Sequence, residues 1–433
     1  MSSYTDKLLD FLNNSPVNFL AVHNVCRQLD ASGYIRLDAS HPVKSLSEGA
    51  KFYFTKNDSS VFAFHLGKQP MADAGFHLIC AHSDSPCFRI KPAAMMPGHG
   101  GLMRLNTELY GGAILSTWFD RPLSIAGRVI LRSADPLNPT SRLLHVRRPL
   151  LSISSLAIHL NRSVNDGVAI SKQKDMLPIF TSLNTLMEND DLLVCVIAAE
   201  LDVPVDDILD FDLYLYDTTA PCLFGLDNEF ISAGRLDDLS MVHAGLEAIL
   251  ADNDTPEVTK VLAIFDNEET GSGTKQGAHS NYFSSLLQRL ILSQGGNLDD
   301  YYRSLEKAFM ISADNAHGCH PNYVEKYDPT NQPILGEGPV IKYNASQKYV
   351  TDAVSSAVFQ QICAKAGVPF QFYVNHSDVA GGSTLGNILS ASLPVRGVDM
   401  GNPLLAMHSI RETGSVADHE FACKAFIEFY RCS

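Results

Sequence analysis

The stretch VLAIFDNEE, residues 261–269, runs through five apolar side chains and stops on an aspartate, an asparagine and two adjacent glutamates. So short an apolar run reads as a strand buried on both faces, the kind found in parallel sheets. The pattern recurs outward from there. Residues 75–81 are apolar but for His77 and lead into His82-Ser83-Asp84, and AFMISADN (308–315), VPFQFYVNHSD (368–378) and LPVRGVDMG (393–401) are further apolar runs with polar ends. Helical segments such as residues 239–251 lie between them. Strands alternating with helices predict an α/β fold, a mostly parallel sheet flanked by helices.

Toward the N-terminus, Leu8, Leu9, Phe11 and Leu12, then Phe19, Val22, Val25 and Leu29, recur at helical spacing and predict two short amphipathic helices. KFYFTKN (51–57) and SSVFAFHLG (59–67) read as two strands joined by a polar turn. From about residue 91 to about 225 the character changes. Glycine and proline punctuate PGHGG (97–101), YGG (110–112) and DPLNP (135–139), among short β-rich runs such as SIAGRVIL (124–131) and DFDLYLYD (210–217). The expected organisation is a discontinuous α/β domain, residues 1–90 and 226–433, interrupted by an inserted β-rich module at 91–225. A length of 433 residues suits two domains.

Composition narrows the function classes. Hydrophobic residues at 45% and charged residues at 19% allow a sizeable core. A formal net charge of −15, with only Arg147 and Arg148 as a minor basic pair, argues against nucleic acid and anionic membrane surfaces as partners. A local basic residue can still hold a small anion. The nine cysteines form no Cys-x-x-Cys pair and no disulfide framework, which fits a reducing compartment. No secretory pattern opens the chain, and the apolar residues 192–199 are far too few to span a bilayer. The expected location is cytoplasmic.

Metal-type residues recur at the predicted strand ends: His82-x-Asp84, Asp237-Asp238, Glu268-Glu269, Asp314 and His408. Each has an ordinary reading by itself. His82 and His408 could be loop histidines, Glu268-Glu269 a solvated turn, Asp237-Asp238 a helix cap with a first-turn acid, and Asp314-Asn315 a turn. Together they are expected to terminate elements of one sheet, where open α/β folds bind ligands. Imidazole with carboxylate is an ordinary ligand set for zinc, and paired divalent ions need a bridging carboxylate. Residues i and i+2 of an extended segment share a face, so Asp84 can reach the His82 ring and fix its tautomer. Adjacent glutamates permit one to coordinate metal while the other accepts a proton. Gly271 and Gly273 make no dinucleotide fingerprint.

Six ordered blocks, AHSDSP (81–86), SAGRLDDL (232–239), FDNEETGSGT (265–274), SADNAHGCHPNY (312–323), GPVIKYN (338–344) and AMHSIRE (406–412), closely resemble the motifs of the aspartyl aminopeptidases, in their bacterial branch. The resemblance implies a catalytic α/β domain with two divalent metal ions and an inserted dimerisation domain. Zinc suits the ligand set, as do cobalt and manganese. By motif position Asp237 bridges the ions, His82 and Asp314 complete one site, and Glu269 and His408 the other. Glu268 is the general base that activates the bridging water, Asp84 orients His82, and the peptide bond after Asp237 is cis. The implied reaction releases an N-terminal Asp, and Glu as well, from short acidic peptides. Lys342 matches a lysine that recognises the acidic side chain. Asp378 and the loop Gly381-Gly382-Ser383-Thr384 fall in a block near the substrate pocket, although VNHSDVAGGST (374–384) departs from the eukaryotic form. The family assembles dimers into a tetrahedral dodecamer, and His159 matches a histidine that reaches a neighbouring subunit's site. His317 and His320 lie outside the implied ligand set.

Overall fold

A computed structural model describes residues 3–182 and 192–433. Part of the expected β-rich module, residues 183–191, therefore lies outside the described residues. The chain divides into two compact units. The first comprises Met1–Asp84, Pro221–Met407 and Glu412–Ser433; the second comprises Ser85–Ala220 and His408–Arg411.

The first unit is built on a nine-stranded sheet. Its order is Ile35–Arg36, Lys51–Lys56, Ser60–His65, Thr259–Phe265, Phe76–His82, Phe309–Ala313, Arg396–Gly401, Val340–Tyr343 and Gln371–Val374. The four central strands Thr259–Phe265, Phe76–His82, Phe309–Ala313 and Arg396–Gly401 are mutually parallel. Alternate side chains leave a strand on opposite faces, and the core divides accordingly. Ile79, Ala81, Leu262 and Ile264 pack on one face with Phe11, Val25, Leu246 and Phe426. Leu78, Cys80, Val261 and Ala263 pack on the other with Phe283, Leu287, Leu305 and Leu389. Both faces are covered by helices, which is why these strands read as unbroken apolar runs. Each fully buried large side chain contributes about 1.5–3 kcal/mol.

A separate three-stranded sheet, Cys222–Phe224, Phe230–Ala233 and Glu412–Ser415, also belongs to this unit. Phe230–Ala233 leads through Gly234 and Arg235 into the helix Leu236–Leu250. The second unit holds a six-stranded antiparallel sheet, in the order Thr140–His145, Leu123–Leu131, Ile208–Asp217, Cys87–Pro97, Leu102–Tyr110 and Ile179–Ser182. The residues 192–199 form part of the helix Leu192–Leu201, which buries Leu193 and Ile197 against this sheet's core. Among the described residues no helix is long and apolar enough to cross a membrane.

Candidate metal centre

Parallel strands deliver the residues that follow them to one end of the sheet. His82 closes Phe76–His82, Glu268 and Glu269 follow Thr259–Phe265 in a tight turn, and Asp314 follows Phe309–Ala313. The expectation of one common sheet fails for the other two. Asp237 enters from the small sheet at the start of the helix Leu236–Leu250, and His408 lies in the connection between Pro403–Leu404 and Glu412–Ser415. Apolar runs predict strands but do not say which sheet a strand joins. The cap reading of Asp237-Asp238 fails too: Asp237 is extended, with φ −83° and ψ 106°, and the peptide bond to Asp238 is cis.

Within the first unit these residues converge. Nε2 of His82 lies 3.8 Å from Oδ1 of Asp237. One donor atom from each of His82, Asp237, Asp238 and Asp314 lies within 4.8 Å of the others, and so does one from each of His82, Glu268 and Glu269. Asp84 ties the arrangement together. Its backbone carbonyl stands 3.0 Å from Nδ1 of His82 and its Oδ1 3.4 Å from the same atom, which fits a proton on Nδ1 and leaves Nε2 facing Asp237. The two carboxylate oxygens of Asp84 accept the backbone N–H groups of Glu268 and Glu269, each at 3.1 Å. One side chain thus fixes the imidazole and the glutamate pair.

So many buried carboxylates repel one another. Burial raises the pKa of Glu268 to about 9, with Asp314, Glu269 and Asp84 adding to the rise and His82 opposing it. Burial likewise raises Asp238, and His82 partly offsets it. Burial alone would lower His82, yet Asp238, Asp84 and Glu268 hold it well above its ordinary value. A cluster of this kind favours added positive charge, and its imidazole and carboxylate donors are those of a divalent-ion site.

A profile of the family described as "Aminopeptidase I zinc metalloprotease (M18)" matches residues 11–430. The "Probable M18 family aminopeptidase 2" proteins of Clostridium novyi and Clostridium acetobutylicum are each 48% identical over 427 residues, covering 99% of this chain and 98% of theirs. The chain belongs to the M18 family. It is a metallo-aminopeptidase, a hydrolase of peptide bonds. A solved structure titled "Cryo-EM structure of the Ape4 and Nbr1 complex" superposes with a TM-score of 0.95 at 35% identity, over 99% of this chain and 85% of that one. The aminopeptidase structure from Thermotoga maritima shares the fold at a TM-score of 0.85 and 23% identity, over 99% of this chain and 96% of that one.

The remaining candidate residues of the M18 chain are spread more widely. Lys342 is buried, and its ammonium donates to the backbone carbonyls of Asp314 (2.7 Å) and Asn315 (3.1 Å), with Oδ1 of Asp314 at 3.6 Å. Burial works against its charge, but Asp314, then Tyr349, Asp399 and Asp237, more than offset it and raise its pKa. Asp378 and Gly382 are exposed, whereas Thr384 at the end of their loop is buried and donates to Oδ1 of Asp399 at 2.7 Å. His159 is exposed in a short turn of the second unit. His408 groups with the second unit, where its Nδ1 lies 3.2 Å from the carbonyl of Gly112. His317 packs near Tyr373, and neither it nor His320 joins a metal-type cluster among the described residues.

Three participants were given no role of their own in the site by the sequence reading. Asp238 accepts the His82 N–H at 3.1 Å and the Asn315 side-chain amide at 3.1 Å. Asn315 also donates to the carbonyl of Leu236 at 2.9 Å. Glu412 accepts the backbone N–H of Asp237 at 3.0 Å. Asn315 and Asp238 each adjoin a candidate ligand in sequence, and Glu412 closes the AMHSIRE block; that adjacency was the available signal. Gly401 serves the same region by being small. A Cβ there would stand 2.0 Å from the Asp314 carbonyl, so the strand approaches the ligand loop only with glycine.

Proposed function

We propose that this M18 chain removes an N-terminal Asp or Glu from short peptides with the aid of two divalent ions, zinc in the first instance and cobalt or manganese as substitutes. His82, Asp237 and Asp314 would hold one ion, with Asp237 shared, and Glu269 and His408 would complete the other. His408 is covalently joined to Met407 of the first unit, and four residues later Glu412 holds the Asp237 amide at 3.0 Å. When bound, the ions supply Lewis-acid polarisation of the scissile carbonyl and lower the pKa of water. Glu268 takes the proton of the attacking water and hands it to the leaving amine. Asp84 keeps Glu268 and the His82 ring in register. The observation that carries this reading is the convergence of His82, Asp237, Asp314, Glu268 and Glu269, with Asp84 pinning both sides.

Lys342 is proposed to set the acidic preference, since an ammonium favours an acidic side chain and disfavours apolar ones. Its two carbonyl bonds favour a second duty, holding the Asp314–Asn315 turn in place. His159, Asp378 and Gly382 are proposed substrate contacts, His159 acting across an interface between copies. Assembly of dimers into a tetrahedral dodecamer through the inserted module, and a cytoplasmic location, belong to the same proposal. A related structure is titled "Structure of S. cerevesiae mApe1 dodecamer". The test is hydrolysis of Asp-, Glu- and Leu-capped substrates before and after chelation, with metal measured alongside. Cleavage of the acidic substrates that falls with metal removal and returns with zinc is expected. Preference for the Leu substrate would sink the proposed specificity, and activity unaffected by metal loss would sink the mechanism.

A further inference from the structure

A second cluster of metal-type donors lies in the same unit, and nothing in the proposed hydrolysis uses it. His243 is on the helix Leu236–Leu250, and His419 and Cys423 are on the helix Val416–Arg431. Spaced i and i+4, His419 and Cys423 present their side chains on one helical face. Nδ1 of His243 lies 3.0 Å from Nε2 of His419, and Sγ of Cys423 lies 3.7 Å from that same nitrogen. One donor atom from each residue lies within 4.8 Å of the other two. All three side chains are buried, at 1%, 1% and 0% exposure.

We propose that His243, His419 and Cys423 form a structural site for one thiophilic metal ion, Zn²⁺ or Cu⁺, separate from the hydrolytic centre. Zinc bonds of about 2.0–2.1 Å to nitrogen and about 2.3 Å to sulfur put neighbouring donors roughly 3.3–3.6 Å apart. The 3.0 Å and 3.7 Å separations bracket that spacing. An imidazole–imidazole hydrogen bond accounts for the shorter contact and a weak thiol hydrogen bond for the longer one, both crowding onto one nitrogen; an ion engages all three donors at once. Glu247 stands 3.8 Å from Nε2 of His243 and is itself paired with Lys7 at 2.7 Å. A carboxylate on that side favours the tautomer with its proton on Nε2, which leaves Nδ1 to the ion. Thiolate with imidazole selects zinc or cuprous ion over harder ions. On binding, Cys423 gives up its thiol proton to solvent and enters as thiolate.

The ion would staple the helix Leu236–Leu250, in whose first turn Asp237 sits, to the helix that follows Glu412, whose carboxylate holds the Asp237 amide. Its role is positional, by fixing the distance between two elements that frame the hydrolytic cluster.

None of the proposed hydrolytic ligands is a cysteine, so a sulfur neighbour cannot come from the hydrolytic centre and the two assignments fail independently. X-ray absorption at the zinc and copper edges of the full-length metal-loaded protein, with elemental analysis, is the test. A sulfur neighbour at about 2.3 Å is expected at one edge, which identifies the metal. Cys423→Ser should lose that neighbour and one equivalent of that metal per chain. His243→Gln keeps every thiol yet should lose the same signal, and it serves if Cys423→Ser fails to fold. No sulfur neighbour at either edge of the unaltered protein overturns the proposal. So does a sulfur signal that survives in either variant, because it then belongs to another cysteine.

Discussion

His82 and His65 stand at opposite ends of one sheet and are equally buried, at 1% and 0% exposure. The strand Thr259–Phe265 lies between theirs, pairing Phe265 with His82 and Lys260 with His65. Around His82, burial pulls the pKa down, but Asp238, Asp84 and Glu268 carry it well above the ordinary value. Around His65, burial is reinforced by Lys51 and Lys260, and the pKa falls to about 4. Burial therefore says nothing by itself about what a histidine does. The parallel strands carry Asp84 and Glu268 to His82 in the segments after them, and the helix Leu236–Leu250 brings Asp238. The antiparallel strand Ser60–His65 delivers its histidine to the opposite end, beside lysines. One end of the sheet favours added positive charge, as a proton or a divalent ion; the other rejects it.

The largest expected effect breaks the acid-rich end at its base. Glu268→Gln should lower kcat about 10²–10⁴-fold while metal content stays intact. Near-normal turnover would remove Glu268 from the mechanism. Asp84→Asn comes next. It weakens a carboxylate that accepts two amides and faces Nδ1 of His82, so metal affinity in an equilibrium titration should fall about 10–100-fold. Unchanged affinity would mean that the geometry around His82 is held by something else.

A smaller effect sharpens the contrast from within the acidic end. Lys342→Met leaves the carbonyls of Asp314 and Asn315 without their buried donor, at about 1–3 kcal/mol each in denaturant unfolding. A loss well below that would show that the turn finds other partners. The smallest effect probes the basic end. His65 stays neutral in the fold below its ordinary pKa of 6.5, while the unfolded chain takes up the proton. Stability is then present above that pH and is lost progressively as pH falls toward about 4. His65→Leu should lose less Tm than the unaltered protein between about pH 7.5 and about pH 5. Equal losses would show that His65 does not titrate against folding.

Much of this was legible along the chain. The central strands announced themselves because both their faces are buried, and unbroken apolar runs such as residues 261–265 are the consequence. The polar residues that end them were visible for the same reason. The contact between Asp84 and His82 needs only the two-residue repeat of an extended segment. Legibility fails where partners are far apart in sequence. The sheet that Asp237 leaves from was misjudged, and Glu412 was passed over as a participant.

The sequence by itself determined the α/β class, the strand-and-helix order and the residue types at the strand ends, because those depend on side chains a few positions apart. The tertiary structure alone decided that Asp238 accepts the His82 amide across 156 positions and Glu412 the Asp237 amide across 175. It likewise set His243 against His419 across 176. Such contacts follow from how helices and sheets pack, and no local periodicity encodes them.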